Sequence, residues 1–373
     1  MPSFDAIVFK AWPAPKELSV ELSGPALQGL KRGRTLSQGQ LLSLASSPFL
    51  SDVHAPLNGR LISLIGLRAQ IEVDPNLSGL PPSPISLDNL FGKELEDGLK
   101  KLGVEPLLAP ELGDPVIISA LVPQPGLEAA EALWVDQRST LEVGAAVLKR
   151  LWPDRELVEV LSPSQEPLGL GRVERYKATY PLTLPILVKR TLLGSLDLLK
   201  RGVVEPWDLW ALGVAVRSGY PVTHLPVSIN KSYYLVPLGL KISSILSQVN
   251  LRPMRRDVLV LGGLMSGRPV ARLDRGLGKN FRALNLIKAA LFSDRPGPCR
   301  YCRLCRLACP LDLPINILAS QPLSLWPQTA AKLGSLLDGC LSCACCALAC
   351  PSRRPLVDFV GLAKPQGLKG RHL

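Results

Sequence analysis

The sequence predicts a multidomain chain of mixed α/β and α+β class that ends in a small module built on cysteines. Three observations carry this. Its 373 residues suffice for two to four domains at roughly 100 to 200 residues each. Hydrophobic patterning changes along the chain, from short alternating runs to helical periodicity around apolar strands and back to short strands. All nine cysteines fall between Cys299 and Cys350.

Composition bounds the function classes. Lys and Arg number 43 against 31 Asp and Glu, a net charge of +12 that favours acidic or anionic partners. The 35 Pro and 31 Gly make up about 18% of the chain, below the roughly 25–30% that marks disorder, so the chain is folded and loop-rich. With 20% charged and 47% hydrophobic residues it is apolar for a free-standing protein, and part of its surface is expected to meet a cofactor, a subunit or a membrane. No run of about 18 apolar residues is free of charge, and Met1 to Lys16 lacks the basic-then-apolar layout of a signal peptide. The expectation is a chain neither secreted nor membrane-spanning.

From Ala6 to about Asp74 the chain reads as short strands, such as Leu18 to Leu22 and Leu61 to Ile65. Asn58-Gly59 reads as a type I′ hairpin turn between Val53-His54-Ala55-Pro56 and Arg60-Leu61-Ile62. The runs from Gly33 to Leu41 and from Val53 to Leu61 resemble the barrel-sandwich hybrid of biotinyl and lipoyl domains. Those carriers need a lysine at a hairpin tip, and none lies between Gly33 and Arg60, so residues 1–76 are expected to be a structural module with His54 a hydrogen-bonded strand residue. Residues 77–89, with Pro81, Pro82 and Pro84, read as a linker. Across 90–219, helices are predicted at Leu90 to Leu102, Glu128 to Trp152 and Trp207 to Val216, with buried-type strands at Val116 to Val122 and Glu156 to Leu161. That is an α/β unit. Short strands return over 220–275, with a helix at Ile242 to Val249, and 276–298 reads as a second linker. The glycine-rich stretches Gly262-Gly263 to Gly267 and Gly169-Leu170-Gly171 read as tight turns, because neither carries the Lys-Ser/Thr or third glycine of a phosphate loop.

The cysteines carry the chemistry. Cys299, Cys302, Cys305 and Cys309 followed by Pro310 read C-x2-C-x2-C-x3-C-P, and Cys340, Cys343, Cys346 and Cys350 followed by Pro351 read it again. Three thiolates two residues apart wrap a tight loop around three corners of a cubane iron–sulfur cluster. In two-cluster ferredoxins the fourth cysteine of each motif ligates the other cluster. On that pattern Cys299, Cys302, Cys305 and Cys350 hold one 4Fe-4S cluster, and Cys340, Cys343, Cys346 and Cys309 the second. Cys345 is left over and reads as a small buried residue, with substitution as a ligand the alternative. Structural zinc needs paired knuckles and four ligands, which fits the x2, x2, x3 pattern poorly. Disulfides call for an oxidising compartment.

Between Arg295 and Leu373 stand ten Lys or Arg and three Asp, a surplus of +7 that suits two polyanionic clusters, with Arg300, Arg303 and Arg306 among the ligands. A nucleic-acid patch is the alternative for such a surplus, but aromatic residues are not interleaved with the basic ones.

Taken in order, these parts resemble the C subunit of the Rnf complex, a membrane-associated ferredoxin:NAD oxidoreductase related to the NADH-binding flavoprotein of complex I. The resemblance rests on Val53-His54-Ala55-Pro56 with Gly59, the α/β segment, Leu261-Gly262-Gly263-Leu264-Met265-Ser266-Gly267, and the two cysteine motifs closing with Cys350-Pro351-Ser352 and Pro355-Leu356-Val357. It implies a barrel-sandwich hybrid (1–76), a flavoprotein-like α/β core (90–219), an SLBB β-grasp domain (220–275), a ferredoxin-like domain (299–360) and a basic tail (361–373). It also implies FMN and NAD as family cofactors, ferredoxin and membrane subunits as partners, and a cytoplasmic position, peripheral on the inner face of the cell membrane. The family's glycine-rich G-x-G-G-A-x-F-P loop has no counterpart between Leu90 and Asp114, and Pro123-Gln124-Pro125 stands where the family has Glu-Pro. FMN and NAD binding are therefore in doubt, and the α/β core is read as degenerate. The leading expectation is a subunit that relays single electrons through two clusters and makes or breaks no substrate bond. The alternatives are an FMN- and NADH-dependent oxidoreductase subunit, or a soluble corrin or quinone reductase component.

Overall fold

The computed structural model describes residues 9–77, 79–177, 179–289 and 296–363, which form several sheets and eleven α-helices. The first eight residues, residues 290–295 of the expected second linker and residues 364–373 of the expected basic tail lie outside the described residues.

The front of the chain is all strand: β1 (Lys10–Ala11), β2 (Glu17–Glu21), β3 (Thr35–Leu36), β4 (Leu41–Ser43), β5 (Val53–His54), β6 (Gly59–Ile65) and β7 (Arg68–Val73). A four-stranded antiparallel sheet runs β2-β7-β6-β3, and β4 pairs with β5 apart from it. Asn58-Gly59 is therefore not a hairpin turn, because β5 and β6 do not pair. Asn58 instead ties two loops, accepting from Gln38 N–H at 2.7 Å and donating to the Leu77 carbonyl at 2.9 Å. Gly59 is required for close approach, since a Cβ there would meet the Glu72 carbonyl oxygen at 2.2 Å. The true hairpin is β6 to β7, turning at Gly66 with φ +57°.

The middle of the chain carries α1 (Gly92–Lys101), β8 (Val116–Ser119), α2 (Ala129–Asp136), α3 (Arg138–Leu151), β9 (Leu157–Leu161), β10 (Arg172–Arg175), α4 (Pro185–Leu193), β11 (Val203–Val204) and α5 (Pro206–Ser218). The expected single helix from Glu128 to Trp152 is two, parted at Gln137, whose φ of −109° and ψ of 25° leave the helical region. All four strands are parallel, in the order β10-β9-β8-β11, and their side chains alternate between two layers. Val116, Ile118, Leu157 and Leu161 face α1, α3 and α5, while Ile117, Val158 and Val160 face Val188 of α4. Two glycines let α3 and α5 touch at backbone distance: a Cβ on Gly144 would lie 2.0 Å from the Leu209 carbonyl oxygen, and one on Gly213 2.1 Å from that of Thr140. Helix α5 starts on Pro206 with a Glu205/Asp208 capping box and stops at Gly219, φ +65°.

A six-stranded sheet follows, from β12 (His224–Ile229), β13 (Ser232–Pro237), α6 (Ile242–Gln248), β14 (Val258–Leu261), β15 (Arg268–Pro269) and β16 (Ala283–Ile287), ordered β1-β13-β12-β16-β14-β15. Residues 276–298, expected as linker, thus contribute β16 to the middle of this sheet. The reason is alternation within Ala283-Leu284-Asn285-Leu286, where Leu284 is fully buried. The front sheet and this one share a single core: Leu18, Leu61 and Ile71 pack with Val227, Val236 and Leu284.

The chain closes with α7 (Leu304–Leu307), α8 (Ile315–Ser320), α9 (Trp326–Asp338), α10 (Cys345–Leu348) and α11 (Leu356–Ala363) around a small core of Cys305, Ile315, Leu318, Leu337, Cys346, Leu356 and Val360. Among the described residues no helix is long and apolar enough to cross a membrane.

Candidate metal centre

The two cysteine motifs are the same structure twice, 41 residues apart, as the step from Cys299 to Cys340 shows. Each places left-handed residues around its second cysteine, Tyr301 (φ 58°) and Arg303 (φ 61°) in the first copy, Ser342 (φ 54°) and Ala344 (φ 59°) in the second. This turn aims backbone donors at sulfur: Tyr301 N–H reaches Cys299 Sγ and Ser342 N–H reaches Cys340 Sγ, both at 3.4 Å. A one-turn helix then presents the third cysteine, α7 for Cys305 and α10 for Cys346. After the fourth cysteine come Pro310 or Pro351, a left-handed Asp312 or Arg353 at φ 50°, and a helix opened by Ile315 or Leu356, both buried.

The fourth cysteines cross over. Gly297 N–H donates to the Ser352 carbonyl at 2.9 Å, and Ser352 Oγ donates to the Pro298 carbonyl at 2.5 Å. These bonds lace the start of the first motif to the end of the second, so that Cys350 and Cys299 are the thiols acting electrostatically on Cys305. Those acting on Cys346 are Cys340, Cys343 and Cys309. The thiols are grouped without converging on one point; among the described residues no three Cys, His, Asp or Glu side chains meet as one metal ion requires.

The donor set fits a cluster. Burial first, then neighbouring thiols, pushes Cys346 up to about 12; burial also drives Cys343 up to about 12 and raises Cys305 and Cys345. Without a cationic core these groups hold their protons, and an iron cluster reverses that balance because coordination removes the thiol proton.

The copies differ in what surrounds them. In the first, Arg300, Arg303 and Arg306 are exposed, as are Cys302 and Tyr301 (73%). In the second the matching positions are Leu341, Ala344 and Ala347, and Cys343 and Leu341 pack on Ile186 and Leu187 of α4. Tyr180 Oη donates to the Cys343 carbonyl at 2.6 Å and Arg190 to that of Pro310 at 3.2 Å. Helix α4 is held by its buried Lys189, which donates a hydrogen bond to Asp197 at 3.0 Å and forms an ion pair with Asp114 at 3.1 Å. Replacement of three arginines by apolar residues signals in the sequence which copy docks on the core, a contrast that the spacing argument passed over.

At the carboxyl ends of the parallel strands, where open α/β sheets ordinarily bind ligands, the loops are bonded to one another and to the six-stranded sheet. Gln124, in the segment Pro123-Gln124-Pro125, is buried, receives Ser266 N–H at 3.0 Å and donates to Ser266 Oγ at 2.8 Å. Gln165 donates to the Ala120 carbonyl at 2.9 Å. At the opposite, amino edge of the sheet, the turn at Gly169 leads into β10, and Leu168 and Leu170 N–H reach the carboxylate of buried Glu159 at 2.6 and 2.8 Å. A cavity of about 150 Å³ lies elsewhere, lined by Lys93, Glu96, Lys100, Glu105 and Trp152, and falls short of the roughly 300–1,000 Å³ of ordinary ligand pockets.

His54 is buried in β5, where burial and then the charge of Lys279 push it down to about 4, so its ring is neutral. Lys279, in the turn before β16, donates to Ser51 Oγ at 2.5 Å and to the Asp52 carbonyl at 2.6 Å.

No family model matches the chain. Two curated proteins of Rhodobacter capsulatus are similar to it, and each is described as the C subunit of an ion-translocating oxidoreductase complex. Each is 25% identical to it over an alignment that covers 76% of this chain. The chain spans 64% of the length of these relatives. Among solved structures, an NAD+-reducing NiFe hydrogenase in its air-oxidized state aligns over 69% of this chain and 56% of its own, at 13% identity and a TM-score of 0.42. The H2-reduced state aligns over 71% and 57%, at 12% identity and the same TM-score.

Proposed function

We propose that this chain is an electron-transfer subunit of a membrane-associated oxidoreductase complex of the Rnf type, relaying single electrons through two 4Fe-4S clusters. The observation that carries the reading is the twice-built cysteine loop with its crossed fourth thiols. Cys299, Cys302, Cys305 and Cys350 hold one cluster, and Cys340, Cys343, Cys346 and Cys309 the other. Bound there, a cubane supplies one-electron redox chemistry. The residues around it set that chemistry. Tyr301 and Ser342 N–H groups donate to ligand sulfurs and favour the reduced, more negative state, as do the arginines beside the first set. Exposure at Cys302 makes the first set the point of exchange with a soluble carrier such as ferredoxin. Helix α4 and Tyr180 cover the second set and exclude water from it.

The similarity to the C subunit of an ion-translocating oxidoreductase complex supports other subunits of such a complex as partners; a peripheral position on the inner face of the cell membrane is part of the same proposal. We read the front sheets as a barrel-sandwich hybrid, the parallel sheet as a degenerate flavoprotein core, the six-stranded sheet as the SLBB β-grasp unit and residues 299–360 as the ferredoxin-like domain. The Gln124 clasp uses the Met265 and Ser266 backbone donors beside the carboxyl ends of the parallel strands, which favours the relay over an FMN- and NADH-dependent site.

Anaerobically purified protein is expected to hold about eight iron and eight sulfide per chain. Dithionite is expected to bleach it and NADH to leave it unchanged, with no flavin released by acid. Stoichiometric zinc without a visible chromophore would overturn the reading.

A further inference from the structure

We infer that the tip of the β6–β7 hairpin is where this chain lies on a bilayer, its aliphatic turn entering the headgroup layer of an anionic lipid surface while flanking cations meet the phosphates. The inference rests on the peripheral position proposed above and gives that position a surface. The turn is Gly66-Leu67, between the paired residues Ile65 and Arg68. Glycine supplies the positive φ there, but turn chemistry does not ask for aliphatic neighbours, since two-residue hairpin loops ordinarily carry Asn, Asp, Gly or Ser. Ile65 is 74% exposed and Leu67 54%, and Leu64 is exposed beside them. Leu44, also exposed, belongs to the same end. The Leu67 carbonyl accepts from Leu22 N–H at 2.8 Å, and two residues on, a Cβ at Gly24 would meet the Leu44 carbonyl oxygen at 2.4 Å. The fold leaves all four side chains partly in water, a cost that an apolar partner removes.

Cations flank the tip on both sides. Beside β6, the turn from Lys31 to Arg34 is bonded to Leu61, through Gly33 N–H to the Leu61 carbonyl at 2.7 Å and Leu61 N–H to the Arg34 carbonyl at 2.9 Å. Lys31, Arg32 and Arg34 are exposed, and none has a carboxylate partner among the described residues. Beside β7, Arg68 stands opposite Glu21 of β2, and Arg275 lies 3.6 Å from the same carboxylate, with the Arg272–Asp274 pair just before it in the chain. Six cations against two carboxylates leave a surplus of +4. Leu61 precedes Ile65 by four residues, about 13 Å of strand, so a tip sunk about 5–10 Å brings the cations beside it within side-chain reach of the phosphates. An aliphatic tip flanked by cations suits lipid. A nucleic acid calls for stacking aromatics and a protein pocket for an aromatic anchor, and the turn carries neither.

The test is co-sedimentation of the full chain, purified without oxygen, with extruded vesicles of phosphatidylcholine alone or with one third phosphatidylglycerol, in low and high salt. Wild type is expected on the anionic vesicles only, and more weakly in high salt. Ile65→Ser/Leu67→Ser is expected to bind them at least about tenfold more weakly. Lys31→Gln/Arg32→Gln/Arg34→Gln is expected to lose about a hundredfold, at roughly fivefold per cation. Leu112→Ser, which removes an exposed leucine from the loop before β8, is expected to bind as the wild type does. Wild type that ignores anionic vesicles, or equal binding by the folded hairpin variant, would overturn the inference. Should the hairpin variant fail to fold by circular dichroism, equal binding by the cation variant would do so. Everted membranes of the source cells, untreated and trypsin-shaved, separate lipid from protein, and retention on both is expected. Retention on untreated membranes alone would overturn the lipid surface and leave the peripheral position standing, while retention on neither would overturn both. Iron is measured on the same samples, so an iron-free protein that still binds vesicles sinks the electron relay and not this surface.

Discussion

Replacing His54 with Gln removes a titration that the fold makes expensive. The ring is 6% exposed in β5, beside the segment whose Ser51 and Asp52 bind Lys279. Burial, with the Lys279 charge second, lowers its pKa from 6.5 to about 4. Above pH 6.5 both folded and unfolded chains carry a neutral ring, and the fold keeps its full stability with respect to this group. As pH falls from 6.5 to about 4, the unfolded chain takes a proton that the folded chain refuses, so stability declines across that window. Between 6.5 and about 4, at about 1.36 kcal/mol per pH unit, the loss comes to about 3 kcal/mol. Lys279 stays protonated throughout, because its own pKa, lowered chiefly by burial, stands at about 8. Urea unfolding followed by tryptophan fluorescence, between pH 4 and 7.5, measures the effect. The wild-type midpoint should fall relative to His54→Gln by about 1 M at a slope of about 3 kcal/mol/M. Carboxylates titrating in the same window cancel in the difference. Parallel curves for the two proteins would refute a buried neutral ring at this position.

Other perturbations address the module and the helix pair. Cys309→Ser is expected to alter the EPR signal of the cluster held by Cys340, Cys343 and Cys346 and to leave the other less affected; loss of the first cluster alone would reverse the crossed assignment. Gly213→Ala drives a Cβ to 2.1 Å from the Thr140 carbonyl oxygen and forces α3 and α5 apart. The cost should be about 1–3 kcal/mol, read as a lowered thermal midpoint by circular dichroism, and an unchanged midpoint would show that the helices give way freely.

By itself the sequence determined the elements whose signals are local. The helix at 92–101, the stop of α5 at Gly219 and the strands at 116–119 and 157–161 follow from periodicity and caps confined to a few neighbouring residues. The repetition of C-x2-C-x2-C-x3-C-P is equally local, since each copy closes its own turn on left-handed residues. Tertiary structure decided the rest, because pairing and burial depend on segments far apart in the chain. Asn58-Gly59 carries a hairpin signature, yet β5 finds β4 and β6 finds β7, which leaves no ladder for that turn to close. Residues 276–298 look like linker until β12 and β14 offer Ala283–Ile287 a place between them. The sides taken by the two cysteine sets were also decided there. Spacing treats the copies as equal, but α4 and Tyr180 lie more than 140 residues before Cys340, and only their packing covers the second set while the arginine-lined first set keeps Cys302 in solvent.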